Sequence, residues 1–433
     1  MISEPFNISV AELVARGPED IPAPFIPACH LIYSSPATLS YNSPGAVGFG
    51  VKRAGLVIPE SVMLLVSPSA CGRNSSILSS EEGYADRMFY YCMDETDLVT
   101  GRHLTEIPEA ISEIVEICDP KPKAVVICIT CVDALLGTDL ERVCRKAEAE
   151  TGVLVVPSYM YALTREGKKP PMVAIRDTIY SLLTRKPVEP TTVNLMGFFS
   201  PLDENSELFS LLREAGIRTI NQVSRCQTLD EYYELGAANF NIVLHPESVF
   251  AAEQLYARTG MPFVELTRLY DPERIHKLYR LFASAVGITY NDAPYYEEAC
   301  RVRDDFIRKH KGTSFAIGEM TNANPYELAA TLCEMGMHVP YLFSNLTEAD
   351  YPYLRRLAAV SPDTRVYTGI DPSMIHYEPV SGVDLAIGKD AAVYCPDAAS
   401  VEWNSECQPF GFHGFTGLMN ELDRALSDKE GTE

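Results

Sequence analysis

Ser314-Phe-Ala-Ile317-Gly-Glu-Met-Thr-Asn-Ala-Asn324-Pro-Tyr-Glu327-Leu-Ala-Ala-Thr-Leu-Cys-Glu-Met-Gly336 holds the key to the fold of this chain. Ser314–Ile317 is an apolar run of the length of a buried strand. Asn324, Pro325 and Glu327 then spell a helix start: an N-cap, a proline at the first helical position and a capping-box carboxylate. Leu328, Leu332 and Met335 fall on one helical face, and Gly336 ends the helix. A strand followed by a helix, repeated along a chain, builds parallel sheets covered by helices.

The unit recurs. Strands are predicted at Ser61–Val66, Ala124–Thr130, Val153–Pro157, Thr192–Phe198, Phe240–Leu244 and Arg365–Thr368. Leu208, Leu211, Leu212 and Ala215 make an apolar stripe that stops at Gly216, and Thr138-x-x-Glu141 opens a helix running to Gly152. Lys168–Pro171 and Lys186-Pro-Val-Glu-Pro190 have loop chemistry, and a weaker boundary signal spans 287–312. The expected fold is α/β: three Rossmann-like, doubly wound parallel-sheet domains at 1–188, 189–300 and 301–433. Functional sites are expected at the carboxyl ends of strands. A chain of 433 residues suits that number, at roughly 150 residues per domain.

Composition narrows the function. With 36 basic and 59 acidic side chains the net charge is −23, which argues against nucleic acid and against an anionic membrane surface. The start, Met1-Ile-Ser-Glu-Pro-Phe-Asn, has no secretory pattern, and Ala124–Val132 is far short of the roughly 20 apolar residues a membrane span needs. Twelve cysteines without a signal peptide are expected in a reducing cytoplasm. Gly382-Val-Asp-Leu-Ala-Ile-Gly388-Lys389-Asp390 has the wrong spacing for a Walker A loop and carries Asp in place of Ser or Thr. Gly48-Phe-Gly50 lacks the third glycine of a dinucleotide loop. No G-x-S-x-G or H-E-x-x-H occurs, so an enzyme of this sequence would take its hard chemistry from a bound cofactor.

Two cysteines share one address. Cys71 comes shortly after the strand at Ser61–Val66, and Cys131 directly after Ala124–Thr130, just before a helix. Thiolates at such positions are favoured by nearby helix N–H groups and suit iron–sulfur ligation. Cys128 completes a C-x-x-C with Cys131 but sits inside the apolar strand, where a packed thiol is expected.

Ser67–Gly72, Asp94–Gly101 and Cys131-Val-Asp-Ala-Leu-Leu-Gly-Thr-Asp-Leu-Glu141, in this order and spacing, resemble the nitrogenase component 1 family. The likeness continues through Phe240–Ser248 to Gly411–Leu426. That family includes the nitrogenase α and β subunits, cofactor-assembly scaffolds, and the dark-operative protochlorophyllide and nickel-sirohydrochlorin reductases. The resemblance implies three Rossmann-like domains and a homologous partner subunit in a homo- or heterodimer or tetramer. It also implies an interface iron–sulfur cluster, expected as 4Fe–4S, and an ATP-driven iron protein as electron donor. Cys71 and Cys131 match two interface-cluster cysteines. A third usually lies upstream of Cys71, but Asn42-Ser-Pro-Gly-Ala46 has none there, which leaves Cys29 and Cys92 as candidate substitutes. Two thiolates from each subunit would complete four in a symmetric dimer.

The resemblance also implies a cavity for a second metallocofactor or a tetrapyrrole. Laid on the family's strand, Asn241–Ser248 puts His245 where the nitrogenase α subunit has a cofactor-binding Cys. Phe412-His413-Gly-Phe-Thr-Gly417 resembles its His motif at His413. Two imidazoles can ligate Fe, Ni or Zn and move protons near neutral pH. Glu247 is a candidate proton donor; Cys226, Cys395 and Cys407 are further thiols considered for this space. The expected activity is that of a catalytic subunit of a nitrogenase-like reductase, with a non-catalytic assembly scaffold as the alternative.

Overall fold

The computed structural model describes residues 4–38, 50–68, 83–159, 169–379 and 381–430. The strands among them are β1 Asn7–Ser9, β2 Ser61–Ser67, β3 Met88–Cys92, β4 Ala124–Ile129, β5 Leu154–Tyr159, β6 Glu189–Met196, β7 Thr219–Gln222, β8 Ala238–Val243, β9 Phe263–Glu265, β10 Ser314–Gly318, β11 His338–Phe343, β12 Arg365–Tyr367, β13 Leu385–Ile387 and β14 Ala399–Val401. They form three sheets, ordered β3-β2-β4-β5, β7-β6-β8-β9 and β1-β12-β11-β10-β13-β14. Every pairing is parallel except that of β1 with β12. The fold is α/β with three Rossmann-like sheets.

The chain packs as two compact units. One comprises Phe49–Pro201 and Gly216–Thr267; the other comprises Met1–Gly48, Leu202–Ala215 and Arg268–Glu433. The first holds the sheets begun by β2 and β6. Strands β2 and β4 are buried along their whole length, as expected for parallel strands covered on both faces. Val125, Ile127 and Ile129 face the helices His103–Ile117 and Leu140–Thr151. Ala124, Val126 and Cys128 face the core shared with the helix Pro171–Tyr180 and with β6 and β8. Each such Ile or Val contributes about 1.5–3 kcal/mol by burial. In the second sheet, Asn194 Nδ2 donates to Asn241 Oδ1 at 2.9 Å and Asn221 Nδ2 to Asn194 Oδ1 at 3.1 Å. These asparagines are register partners, so a slip by one residue would strand buried amides.

The other unit carries the six-stranded sheet, with the amino-terminal β1 as its antiparallel edge. The helix Glu207–Glu214 belongs to this unit although it connects β6 to β7. The boundary expected at 300/301 falls inside the helix Ala293–His310. Asp292 is the N-cap of that helix and Pro294 lies in its first turn.

Two helix starts differ from expectation. Asn324 caps Pro325–Glu334 as read, accepting from the N–H groups of Tyr326 and Glu327 at 3.0 and 3.1 Å. Glu327 does not complete a capping box. Its buried carboxylate accepts from Tyr270 N–H at 3.1 Å and lies 3.3 Å from Arg356. The helix Leu140–Thr151 is capped by Asp139 rather than Thr138, whose hydroxyl donates to Asp133 at 3.1 Å.

Candidate functional site

The two four-stranded sheets each begin with a central strand, send the next strand to one side and then cross to the other. The crevice between those two strands, at their carboxyl ends, is where such folds bind ligands. In the first sheet it lies between β2 and β4. Ile129 pairs with Val66, and two residues later Cys131 opens the helix Cys131–Leu136. On the other side of β2, Cys92 ends β3 in register with Ser67 and is exposed. Cys71, four positions beyond Ser67, lies outside the described residues. Cys29 is exposed in the 3-10 turn Pro27–Cys29, in the other unit. Cys128 is a packed core thiol, as its strand position implies.

Behind Cys131 lies a buried pair that the sequence reading missed. His103 Nε2 is 3.3 Å from Asp133 Oδ1, and both side chains are shut from solvent. His103 Nδ1 is 3.2 Å from the Asp97 carbonyl, and Asp133 Oδ2 has no hydrogen-bond partner among the described residues. Burial raises the Asp133 pKa, opposed by the Thr138 hydroxyl and the His103 ring. The available signal was weak: His103 continues the apolar stripe of Ile107, Ile111 and Ile114 and reads as one more core position.

The second sheet has its crevice between β6 and β8. Leu244 N–H donates to the Met196 carbonyl at 2.8 Å, which brings His245 against Gly197. Gly197 has φ 136°, and a Cβ there would stand 2.7 Å from the His245 nitrogen, so only glycine permits this approach. The His245 ring meets Phe198 edge-on at 5.9 Å. Its Nδ1 accepts from the Glu247 N–H at 3.3 Å, which puts the proton of the neutral ring on Nε2. Glu247, a candidate proton donor, is a half-exposed carboxylate at a helix start and the partner of buried Arg176, with Nη1 to Oε2 at 2.6 Å. Arg176 also donates to the Gly197 and Met172 carbonyls and stacks on Phe199.

His413 belongs to the other unit, in the first turn of the helix Gly411–Glu430. The buried carboxylate of Glu207 accepts from the N–H groups of Phe412 and His413 at 2.7 and 3.0 Å and from the Tyr279 hydroxyl at 2.6 Å. Burial raises the Glu207 pKa; these three donors oppose it. A Cβ on Gly411 (φ 64°) would strike Glu207 Oε1, so this glycine is required too. The His413 Nε2 lies 3.3 Å from Asp203 Oδ2. Beside it is a cavity of about 450 Å³, lined among others by Asp203, Trp403, Asn404, Cys407, His413 and Glu421. Of the other thiols considered, only Cys407 lines this cavity. Burial pushes Cys226 and Cys395 up to about 11, as befits packed thiols. Among the described residues no three His, Cys, Asp or Glu side chains converge as a metal-binding group.

Residues 47–428 match the family model of nitrogenase component 1 type oxidoreductases. The chain belongs to that family. Among component 1 relatives, it is 25% identical over 223 residues to the nitrogenase molybdenum-iron protein alpha chain of Methanosarcina barkeri, covering 48% of this chain and 41% of that one. It is 27% identical over 302 residues to the nitrogenase iron-molybdenum cofactor biosynthesis protein NifE of Sinorhizobium fredii, covering 67% and 55%. The chain thus spans about half the length of these relatives. A solved structure of nitrogenase Cp1 at pH 6.5 superposes with a TM-score of 0.69 at 16% identity, covering 89% of this chain and 92% of that one. The component 1 fold is therefore established for this chain. No helix among the described residues is long and apolar enough to cross a membrane.

Proposed function

We propose that this chain is a catalytic subunit of a nitrogenase-like reductase. It receives electrons from an ATP-dependent iron protein through an iron–sulfur cluster on the carboxyl edge of its first sheet, and passes them to a bound substrate or metallocofactor. One observation carries the reading: Cys92 and Cys131 follow strands on either side of β2, and β2 itself leads to Cys71. Thiols at the ends of the strands on either side of β2 fit the ligand chemistry of such a cluster, and an exposed Cys92 suits one shared with a homologous subunit. When bound, the cluster supplies one-electron transfer at low potential. This assigns Cys92, rather than Cys29, as the third thiol.

The chain's own residues have further roles in this reading. The His103–Asp133 pair fixes the turn that carries Cys131. The Glu247 N–H holds the His245 ring as the Nε2–H tautomer, so that Nε2 offers a hydrogen-bond donor. Arg176 is a positioning residue that acts through Glu247. His413, with Asp203 beside its Nε2, forms a wall of the substrate cavity. The reading takes place in the cytoplasm, with no part for nucleic acid or membrane.

The anaerobically purified chain is expected to show sulfur-to-iron charge-transfer absorption that dithionite bleaches, and Cys131→Ala is expected to lose it. A folded but colourless wild type overturns the reading. A second reading, an assembly scaffold, is favoured by the NifE relatives. Release of a bound metal cargo to an acceptor protein without substrate turnover would select it.

A further inference from the structure

Among the described residues, three carboxylates converge on the guanidinium of Arg356, on the helix Tyr351–Val360. Asp271 Oδ2 lies at 2.6 Å, Glu334 Oε1 at 2.7 Å and Glu327 Oε1 at 3.3 Å. Asp271 is the N-cap of the helix Pro272–Val286, while Glu327 and Glu334 lie on Pro325–Glu334. Arg274 and Tyr353, whose ring the Arg274 guanidinium overlies, complete the surroundings of Glu327. The three acids are not equivalent. The side chains of Glu334 and Asp271 are 35% and 15% exposed, whereas that of Glu327 is 1% exposed and has the longest contact with the arginine. Like charges this close are not all ionised without cost, and the proton goes to the most buried of them. Burial pushes the Glu327 carboxyl up to about 7, opposed by Arg356 and Arg274 and aided by the Asp271 charge.

Both oxygens of Glu327 face donors. Oε2 accepts from Tyr270 N–H at 3.1 Å; Oε1 accepts from the Thr331 hydroxyl and from Arg356 Nη1, each at 3.3 Å. A proton on Oε2 would oppose the Tyr270 N–H. On Oε1 it displaces Arg356, and the Thr331 hydroxyl turns round to accept it. Arg356 keeps Asp271 and Glu334, while Tyr270 N–H passes from a charged acceptor to a neutral one, about half as strong. Tyr270 carries the change onward. Its hydroxyl donates to the Asn322 carbonyl at 2.5 Å and accepts from Trp403 Nε1 at 2.7 Å. The Trp403 carbonyl accepts from Asn322 N–H at 2.6 Å. These contacts hold Trp403, a wall of the cavity beside His413, at φ 40°, a left-handed conformation that a bulky residue adopts only where its surroundings impose it.

We propose that Glu327 is a proton-operated latch on this cavity wall: ionised, it holds Tyr270 and with it Trp403; protonated, it releases Arg356 and slackens both. The latch goes beyond the reductase reading and does not depend on an iron–sulfur cluster.

Trp403 is the single tryptophan of the chain, and its indole N–H bonds the Tyr270 hydroxyl, so its emission reports the latch. The full-length chain is titrated through the neutral pH range, with circular dichroism as the check on folding. Wild type is expected to show a one-proton change in emission with its midpoint near 7, and folded Glu327→Gln to lose it. Asp271→Asn keeps a good helix cap and removes a charge that repels the ionised form, so its midpoint should move down by about half a pH unit or more. His413→Asn and Glu421→Gln, which remove titratable walls of the cavity, are expected to keep the change, as is Glu319→Gln. Emission that does not respond to pH, a change that survives in folded Glu327→Gln, or a change abolished by His413→Asn, Glu421→Gln or Glu319→Gln overturns the proposal. Should Glu327→Gln fail to fold, Asp271→Asn decides, and a midpoint that stays or rises there overturns it as well.

Discussion

Replacing Glu207 with alanine removes the single carboxylate that accepts from Phe412 N–H, His413 N–H and the Tyr279 hydroxyl. The donors are buried, so the variant leaves them without partners. Each charge-assisted hydrogen bond contributes about 1.5–3 kcal/mol and a neutral one about 1 kcal/mol. Part of that gain is offset in the wild type by desolvation, which raises the Glu207 pKa. The net expectation is a loss of about 3 kcal/mol for Glu207→Ala, within the range seen when a buried polar network is broken. Glu207→Gln keeps one carbonyl acceptor and should lose about half as much. Urea unfolding followed by the fluorescence of Trp403, which lies in the same unit, measures both. A Glu207→Ala chain within about 0.5 kcal/mol of wild type would refute this account of how His413 is positioned.

Two further perturbations follow from the other crevices. Gly197→Ala drives a Cβ to within 2.7 Å of the His245 backbone nitrogen at a φ of 136°; a loss of about 3 kcal/mol is expected in thermal or urea unfolding, with reductase activity falling alongside. Glu319 is pushed up to about 8 by burial and then by the neighbouring Asp390 charge. The folded chain therefore keeps a proton that the unfolded chain releases near the ordinary value of 4.5. Stability should fall as pH rises between those values, by up to about 1.4 kcal/mol per pH unit. Glu319→Gln should flatten that slope, and a slope unchanged in the variant would show that another group is responsible.

Strands β2 and β4 were legible because they are short, β-branched apolar runs that bury every residue, as parallel strands covered on both faces do. The helix caps at Asn324 and the stop at Gly216 were legible for a similar reason, since local chemistry determines them. Strands β3, β7, β9, β11, β13 and β14 were not. Four are short, half-exposed edge strands, such as Thr219-Ile-Asn-Gln222, and of the inner two β11 is interrupted by Pro340 and β13 is only three residues long, so their identity comes from a neighbour rather than from a pattern of their own. Strand β1 was hidden because its partner β12 lies at the far end of the chain. His245 was found through the resemblance of Asn241–Ser248 to the family's strand, but the ion pair that takes up Glu247 comes from Arg176, on a helix about 70 residues away. Glu207 read as an ordinary helix-start carboxylate, and its contact with Phe412 and His413 spans over 200 residues. The left-handed Trp403 carries no sequence signal at all, because the network that holds it is assembled from Tyr270 and Asn322.

The central claim is that thiols at the carboxyl edge of the first sheet hold an iron–sulfur cluster. Its most direct test is iron and acid-labile sulfide per chain after anaerobic purification, on wild type beside Cys71→Ala, Cys92→Ala, Cys131→Ala and Cys29→Ala. The account predicts iron and sulfide in equal amounts in wild type and in Cys29→Ala, and their loss from the other three. A folded wild type free of iron, or variants at Cys71 and Cys131 that keep their full complement, would contradict it.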